Sequence, residues 1–278
     1  MLYIFLAVSV LAGAGLTWAA CGFASASAVW QLPVFTVGSL LAQVALFLLV
    51  LLISCLFVDP KKLLEKPSGY FRFLLNEFSR LALTLGGVHI HATGLEKLPR
   101  TGRFVLVSNH RFAFDPIVFY AVMPQAGLAF LSKKENFSIF LVAQIMRKVL
   151  CLPVDRDNDR ESLKSILKAI QFLKDDKASI AVFPEGKTNK TAEPLLPYRC
   201  GVFKIAQKAN VPIVVCSLAN SRAILRNMFR KRTDVYLDVL AVVPTEELTG
   251  KTTIEIGENI HKIMEDGYVS RLQAEKLS

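Results

Sequence analysis

The sequence predicts an α/β domain, a mixed, largely parallel sheet flanked by helices, behind an N-terminal transmembrane helical hairpin. Three observations predict it. Residues 1–58 contain no Asp, Glu, Lys or Arg, and the first charge is Asp59. From residue 88 onward, short apolar runs alternate with helical patterns. The 278 residues carry 53% hydrophobic side chains and a net charge of +10, all of it beyond the apolar head. The chain therefore divides into a hairpin (1–58), an amphipathic linker helix (59–87) and a basic domain (88–278).

In the head, Val34 to Val58 is interrupted by only one strongly polar residue, Gln43, and is long enough to cross a bilayer. Leu2 to Ala20 is a second span, weakened by Gly13 and Gly15, and an Ala/Ser/Gly stretch ending at Pro33 joins the two. A cleaved signal peptide is the rival reading of the first segment, and it lacks the positive start such signals need. Lys61, Lys62 and Lys66 follow the second span. By the positive-inside rule they place the large domain on the cytoplasmic face of the cell membrane.

In the linker, Arg72, Asn76 and Arg80 share one helical face, and Phe71, Leu74, Leu75, Phe78, Leu81, Ala82 and Leu85 cover the other. Two readings fit: a helix lying in the membrane interface, or one packed on the domain core.

The domain's candidate strands are 88–92, 104–108, 128–131, 150–154, 179–183, 211–217 and 235–243. Its candidate helices lie near 116–123, 137–149, 160–174, 201–209 and 245–275. The five cysteines form no CxxC pair, which fits reduced, buried thiols rather than a disulfide framework or a zinc site.

In such sheets ligands bind beyond strand ends. At the first, the run 104–108 leads into His110, with Asp115 five residues on and Pro116 behind it. A carboxylate folding back onto one ring nitrogen sets the tautomer and raises the basicity of the other. The bland alternative is a helix-capping Asp115 and a structural histidine. At the second, the run 150–154 ends in Asp155 and Arg156, and an arginine fork suits phosphate. Surface charge is the competing reading. At the third, the run 179–183 breaks at Pro184, followed by Glu185, Gly186, Lys187 and Thr188. Gly186 permits a turn that could cradle an anion, and Lys187 and Lys190 add positive charge. A P-loop is excluded because Ala181 stands where its first Gly belongs. The fourth, Val211-Pro212-Ile213-Val214, reads as a buried strand. Beyond it Arg222, Arg226 and Arg230 are spaced to share a helical face, either solvated or in contact with lipid or donor phosphates.

Taken in order, Asn109-His110-x4-Asp115, Val154-Asp155-Arg156, Phe183-Pro184-Glu185-Gly186 and Val211-Pro212-Ile213 resemble the 1-acyl-glycerol-3-phosphate acyltransferase family over residues 88–245. The resemblance implies acyl transfer from acyl-CoA or acyl carrier protein to the hydroxyl of a glycerol phosphate lipid, forming phosphatidic acid. It implies His110 as general base and Asp115 as its orienting partner. It implies substrate contacts from Asn109, Arg156, Phe183, Pro184, Glu185, Gly186 and Lys187. It implies no cofactor, no catalytic metal and no covalent acyl-enzyme. Phe112 replaces a serine common in the family, and Lys187-Thr188-Asn189 replaces a common Thr-Arg-Ser.

Alternatives are acylation of another lysophospholipid or of glycerol 3-phosphate, thioester hydrolysis, and a non-enzymatic lipid-binding membrane protein. A serine hydrolase is disfavoured, since no Gly-x-Ser-x-Gly is present. Nucleic-acid binding rests on net charge alone. His89 and His91 alternate on one strand face, the spacing of a metal pair. No third ligand stands near them in sequence, so they read as an exposed strand face. His261 reads as part of a solvated helix face.

Overall fold

The computed structural model describes residues 2–59, 65–155, 158–228 and 230–277. The chain forms two compact units, residues 1–59 and 60–278.

The first unit is a helical hairpin, α1 (Leu2–Cys21) and α2 (Ala28–Leu56). Both helices are long and apolar enough to cross a membrane. The connection is shorter than the sequence implied, because α2 starts at Ala28 and carries Pro33 within it. Pro33 is the sixth residue of α2, past the first turn, so it removes the N–H that would donate to the Val29 carbonyl. Gly13 explains itself here: a Cβ at that position would lie 2.8 Å from the Thr36 backbone nitrogen, so its absence permits a close helix crossing. Gln43, the polar interruption of the second span, donates to Ser9 Oγ at 2.7 Å across the pair.

The second unit begins with α3 (Gly69–Leu85), capped by the Ser68 side chain. It buries Phe71, Leu74 and Leu81 and packs against α4 (Asp115–Val122), α5 (Val142–Lys148) and β1. The packed-helix reading of this segment therefore holds, and Tyr70 and Phe73 remain exposed.

Among the described residues, seven strands form one sheet: β1 (Val88–Thr93), β2 (Val105–Ser108), β3 (Leu128–Lys133), β4 (Leu152–Val154), β5 (Ser179–Val182), β6 (Ile213–Ala219) and β7 (Thr233–Val243). Their order is β1-β7-β6-β2-β5-β3-β4. Every neighbouring pair is parallel except β6 with β7. Alternation assigns the two faces. Val105, Val107, Ile180, Val182, Ile213 and Val215 point into a core shared with α6 (Asp159–Lys174), α7 (Lys204–Ala209) and α9 (Thr253–Ala274). On the opposite face Phe119 of α4 meets Phe130. Central strands buried on both faces explain the unbroken apolar runs.

Several expected helices are shorter than their patterns: 201–209 is α-helical only over Lys204–Ala209, and 245–275 only over Thr253–Ala274. The 137–149 segment is interrupted at Leu141, whose φ is +70°, so only Val142–Lys148 is α-helical. The helix α8 (Ala223–Asn227) stops before Arg230, so Arg222, Arg226 and Arg230 do not share one helical face.

Candidate active site

Because β6, β2, β5, β3 and β4 run parallel, their C-terminal ends lie along one edge of the sheet. The segments after β2 and β5 leave adjacent strands there. His110 and the Phe183–Gly186 turn are brought together by that register, in which Val107 pairs with Val182.

His110 Nδ1 lies 2.9 Å from Asp115 Oδ2. Asp115 is fully buried, whereas the His110 side chain keeps 15% of its surface. The same Oδ2 accepts the backbone N–H of Arg111 at 2.8 Å and of Phe112 at 2.9 Å. A carboxylate holding two adjacent amides cannot swing away from the ring. Asp115 is the first residue of α4 and Phe114 its cap, so this side chain organises the preceding loop instead of capping the helix. Among the described residues no group hydrogen-bonds His110 Nε2. Phe183 stacks on the imidazole with centroids 4.2 Å apart and planes 11° from parallel. Phe130 stacks behind Phe183 at 5.5 Å. The ring is thus fixed in its plane by aromatic packing and in its rotation by Asp115.

Glu185 is 96% buried, and both of its oxygens are engaged. Oε1 accepts the His110 N–H at 2.7 Å, and Oε2 accepts the Leu196 N–H at 2.9 Å. Burial raises its pKa above the ordinary 4.5, opposed by those two backbone donors and the nearby charges of His110 and Arg111. Glu185 therefore braces the main chain of His110. Asn189, which the sequence did not single out as a site residue, holds the other side: its N–H donates to the His110 carbonyl at 2.7 Å. The backbone of His110 is clamped at both ends by one loop.

Asn109 departs from the substrate contact expected of it. Its amide is fully buried and bonds both the N–H and the C=O of Leu218, at 2.8 and 3.0 Å. It ties the end of β2 to β6 and so positions His110. Gly186 also differs from a simple anion cradle, since its N–H closes a turn onto the Phe183 carbonyl at 3.0 Å. Its φ is +70°, and a Cβ there would come 2.9 Å from the Arg199 side chain. Pro184 is buried, and Lys187 is exposed beyond the turn. Arg156, Lys61 and Lys62 lie outside the described residues.

Three further arginines frame the loop. Arg111 donates to the Glu193 carbonyl at 2.8 Å and lies over the Tyr268 ring. Arg222 donates to the Asn189 carbonyl at 2.9 Å. Arg199 lies beside Gly186. Arg111 reaches 82 positions along the sequence and Arg222 reaches 33, so no local pattern announced these contacts. Cys151 and Cys216 are free and buried, and burial raises both thiol pKa values, which removes them as nucleophiles.

The arrangement is an imidazole oriented by a carboxylate, beside a loop that carries cationic side chains, and a model of the Acyltransferase family matches residues 89–219, from β1 to the end of β6. The chain resembles the acyltransferase family over that stretch, just under half of its length. The chain is 26% identical over 200 residues to a 1-acyl-sn-glycerol-3-phosphate acyltransferase of Borreliella burgdorferi, covering 71% of the chain and 77% of that relative. It is 25% identical to the Saccharomyces cerevisiae enzyme of the same name, over 65% of the chain and 60% of the relative. The human alpha form matches at 25% over 65% and 64%. The match thus spans less than two thirds of the yeast and human proteins. The chain shares its fold with the crystal structure of a Thermotoga maritima 1-acyl-sn-glycerophosphate acyltransferase, at a TM-score of 0.62 and 20% identity, covering 74% and 80% of the two chains.

Glu185→Gln tests the clamp. The amide keeps one acceptor oxygen but turns an NH2 toward a backbone N–H, so one buried donor loses its partner. The expected cost is about 1–3 kcal/mol, read as a lower melting temperature in detergent. The sign with pH follows from the raised pKa: in the window above 4.5 the folded chain holds the Glu185 proton that the unfolded chain has lost. Its contribution to stability thus grows as pH falls through that window and is lost as pH rises. The gap between wild type and variant is expected to widen on acidification toward pH 4.5.

Proposed function

We propose that this protein transfers a fatty acyl group from an acyl thioester, acyl-CoA or acyl carrier protein, to the free hydroxyl of 1-acyl-glycerol 3-phosphate, forming phosphatidic acid. The observation that carries the reading is the His110–Asp115 pair at 2.9 Å, with Nε2 unengaged among the described residues on a partly exposed ring. The names of the relatives agree with it.

In the proposed reaction, Asp115 keeps a proton on Nδ1 and leaves the Nε2 lone pair to receive the acceptor's hydroxyl proton. The hydroxyl oxygen attacks the thioester carbonyl, and a C–O bond forms. The C–S bond then breaks, and the imidazolium returns the proton to the departing thiolate. No acyl-enzyme is needed. The buried Asp115 stabilises the imidazolium as it forms. Lys187 and Arg156 supply positive charge for the acceptor's phosphate, and Glu185, Asn189 and Asn109 hold the main chain beneath the base. The apolar hairpin anchors the enzyme in the cell membrane, with the catalytic unit on the cytoplasmic face.

Purified protein in nanodiscs, given labelled acyl-CoA or acyl carrier protein and a panel of lysolipids plus glycerol 3-phosphate, tests the assignment. The expected product is labelled phosphatidic acid from 1-acyl-glycerol 3-phosphate. Thioester loss independent of any acceptor would indicate a hydrolase. Preferred labelling of another acceptor would reassign the substrate.

A further inference from the structure

The third ligand that the sequence did not place beside His89 and His91 comes from β7. β1 and β7 are parallel neighbours, with His89 directly opposite Asp234 and His91 opposite Tyr236. This register places both imidazoles and the carboxylate on one face. His91 Nε2 lies 3.2 Å from His89 Nδ1 and 2.9 Å from Asp234 Oδ1, and His89 Nδ1 lies 3.7 Å from that oxygen. A tetrahedral ion with metal–ligand distances of about 2.0–2.1 Å holds its donors about 3.3 Å apart. The three separations bracket that value.

We propose that His89, His91 and Asp234 form a surface site for a zinc-class divalent cation, with its fourth position open to water. A second observation points the same way. One nitrogen of the Arg232 guanidinium lies 2.7 Å from Asp234 Oδ1 and 3.0 Å from His89 Nδ1. The lone pairs of two of the three donors already converge on a positive group. Arg232 is a competitor on a flexible, largely exposed side chain, able to leave when a metal arrives. The His91 ring is held in place by stacking on Tyr236, with centroids 4.9 Å apart and planes 16° from parallel. Tyr236 in turn lies under Arg271, which Asp238 grips through both carboxylate oxygens. Donors preset in this way bind with little ordering cost.

The site lies at the same end of the sheet as His110. β7 runs antiparallel to β6, so the start of β7 adjoins the end of β6, where Tyr236 pairs with Ala219. Asp234 also anchors the connection between them, its carbonyl accepting from the Asn220 side chain at 2.7 Å. The site is separate from the proposed acyl-transfer residues, and its occupancy does not depend on that function.

Equilibrium dialysis of the full chain in detergent against Zn²⁺ alone tests the proposal, with Co²⁺ as a spectroscopic substitute. The expected result is one saturable equivalent that His110→Ala and His261→Ala keep. His91→Ala is expected to lose it, with affinity at least ~10-fold lower. Arg232→Ala is expected to bind several-fold more tightly, because the competing cation is gone. Bound Co²⁺ is expected to show tetrahedral visible absorption without a thiolate charge-transfer band. Uptake unchanged in His91→Ala, no saturable uptake by the wild type, or uptake only after Arg232 is removed would each overturn the proposal. Circular dichroism of every variant separates loss of the site from loss of the fold.

Discussion

His110→Ala is expected to lower kcat/KM for acylation of 1-acyl-glycerol 3-phosphate by roughly 10²–10⁴-fold, the usual contribution of a positioned general base. The loss is expected mainly in kcat, because the imidazole's proposed work is done only as the hydroxyl loses its proton. Folding is expected to survive. The ring is partly exposed, and the contacts that fix the loop run through the His110 backbone, which alanine retains. Removing the ring leaves Phe183 unstacked on one side, a loss of about 1 kcal/mol. Steady-state kinetics beside a melting curve reads both effects. Wild-type kcat in a folded His110→Ala protein would remove the base from the mechanism.

Asp115 is expected to matter twice. In Asp115→Ala the Arg111 and Phe112 N–H groups and the imidazole lose their common acceptor inside the protein. Leaving buried donors unpaired costs about 1–3 kcal/mol each, so this variant is expected to lose much of its stability together with its activity. Asp115→Asn separates the two. An amide oxygen can still accept from the two backbone donors, so most of the fold is expected to remain. The negative charge that stabilises a forming imidazolium is gone, and turnover is expected to fall by at least ~10²-fold. An Asp115→Asn enzyme that melts like wild type and turns over like wild type would show that the carboxylate serves the loop alone.

Much of this architecture was legible in the sequence, and the reason is locality. Most of the described strands are short apolar runs bounded by turn residues, and the longer helices α3 and α6 carry a 3.6-residue pattern. The His110–Asp115 pair spans one loop, so a spacing of five could announce it. What the sequence hid depends on distant chain segments. Glu185 looked like part of an anion-binding turn, yet its carboxylate folds back onto the His110 N–H, 75 residues away. Asn109 looked like a ligand contact, yet its amide pairs with Leu218 across two strands, 109 residues away. Asn189 and Arg199 carried no local pattern, because their significance comes only from the loop's return across the strand ends. Asp234 lies 143 residues from His91, and only the β1–β7 register joins them. Leu141 broke an apparently continuous helical pattern through a backbone angle that no hydrophobic periodicity encodes.

Everything proposed for the chemistry requires that Asp115 hold a proton on Nδ1 of His110 while Nε2 stays bare. Long-range ¹H–¹⁵N NMR of ring-labelled protein in nanodiscs measures that tautomer, with the His110 signal identified by its disappearance in His110→Gln. The account requires an Nδ1-protonated ring in the neutral form, changing tautomer or mobility in Asp115→Asn. A neutral ring protonated on Nε2, or one indifferent to the Asp115 substitution, would contradict it.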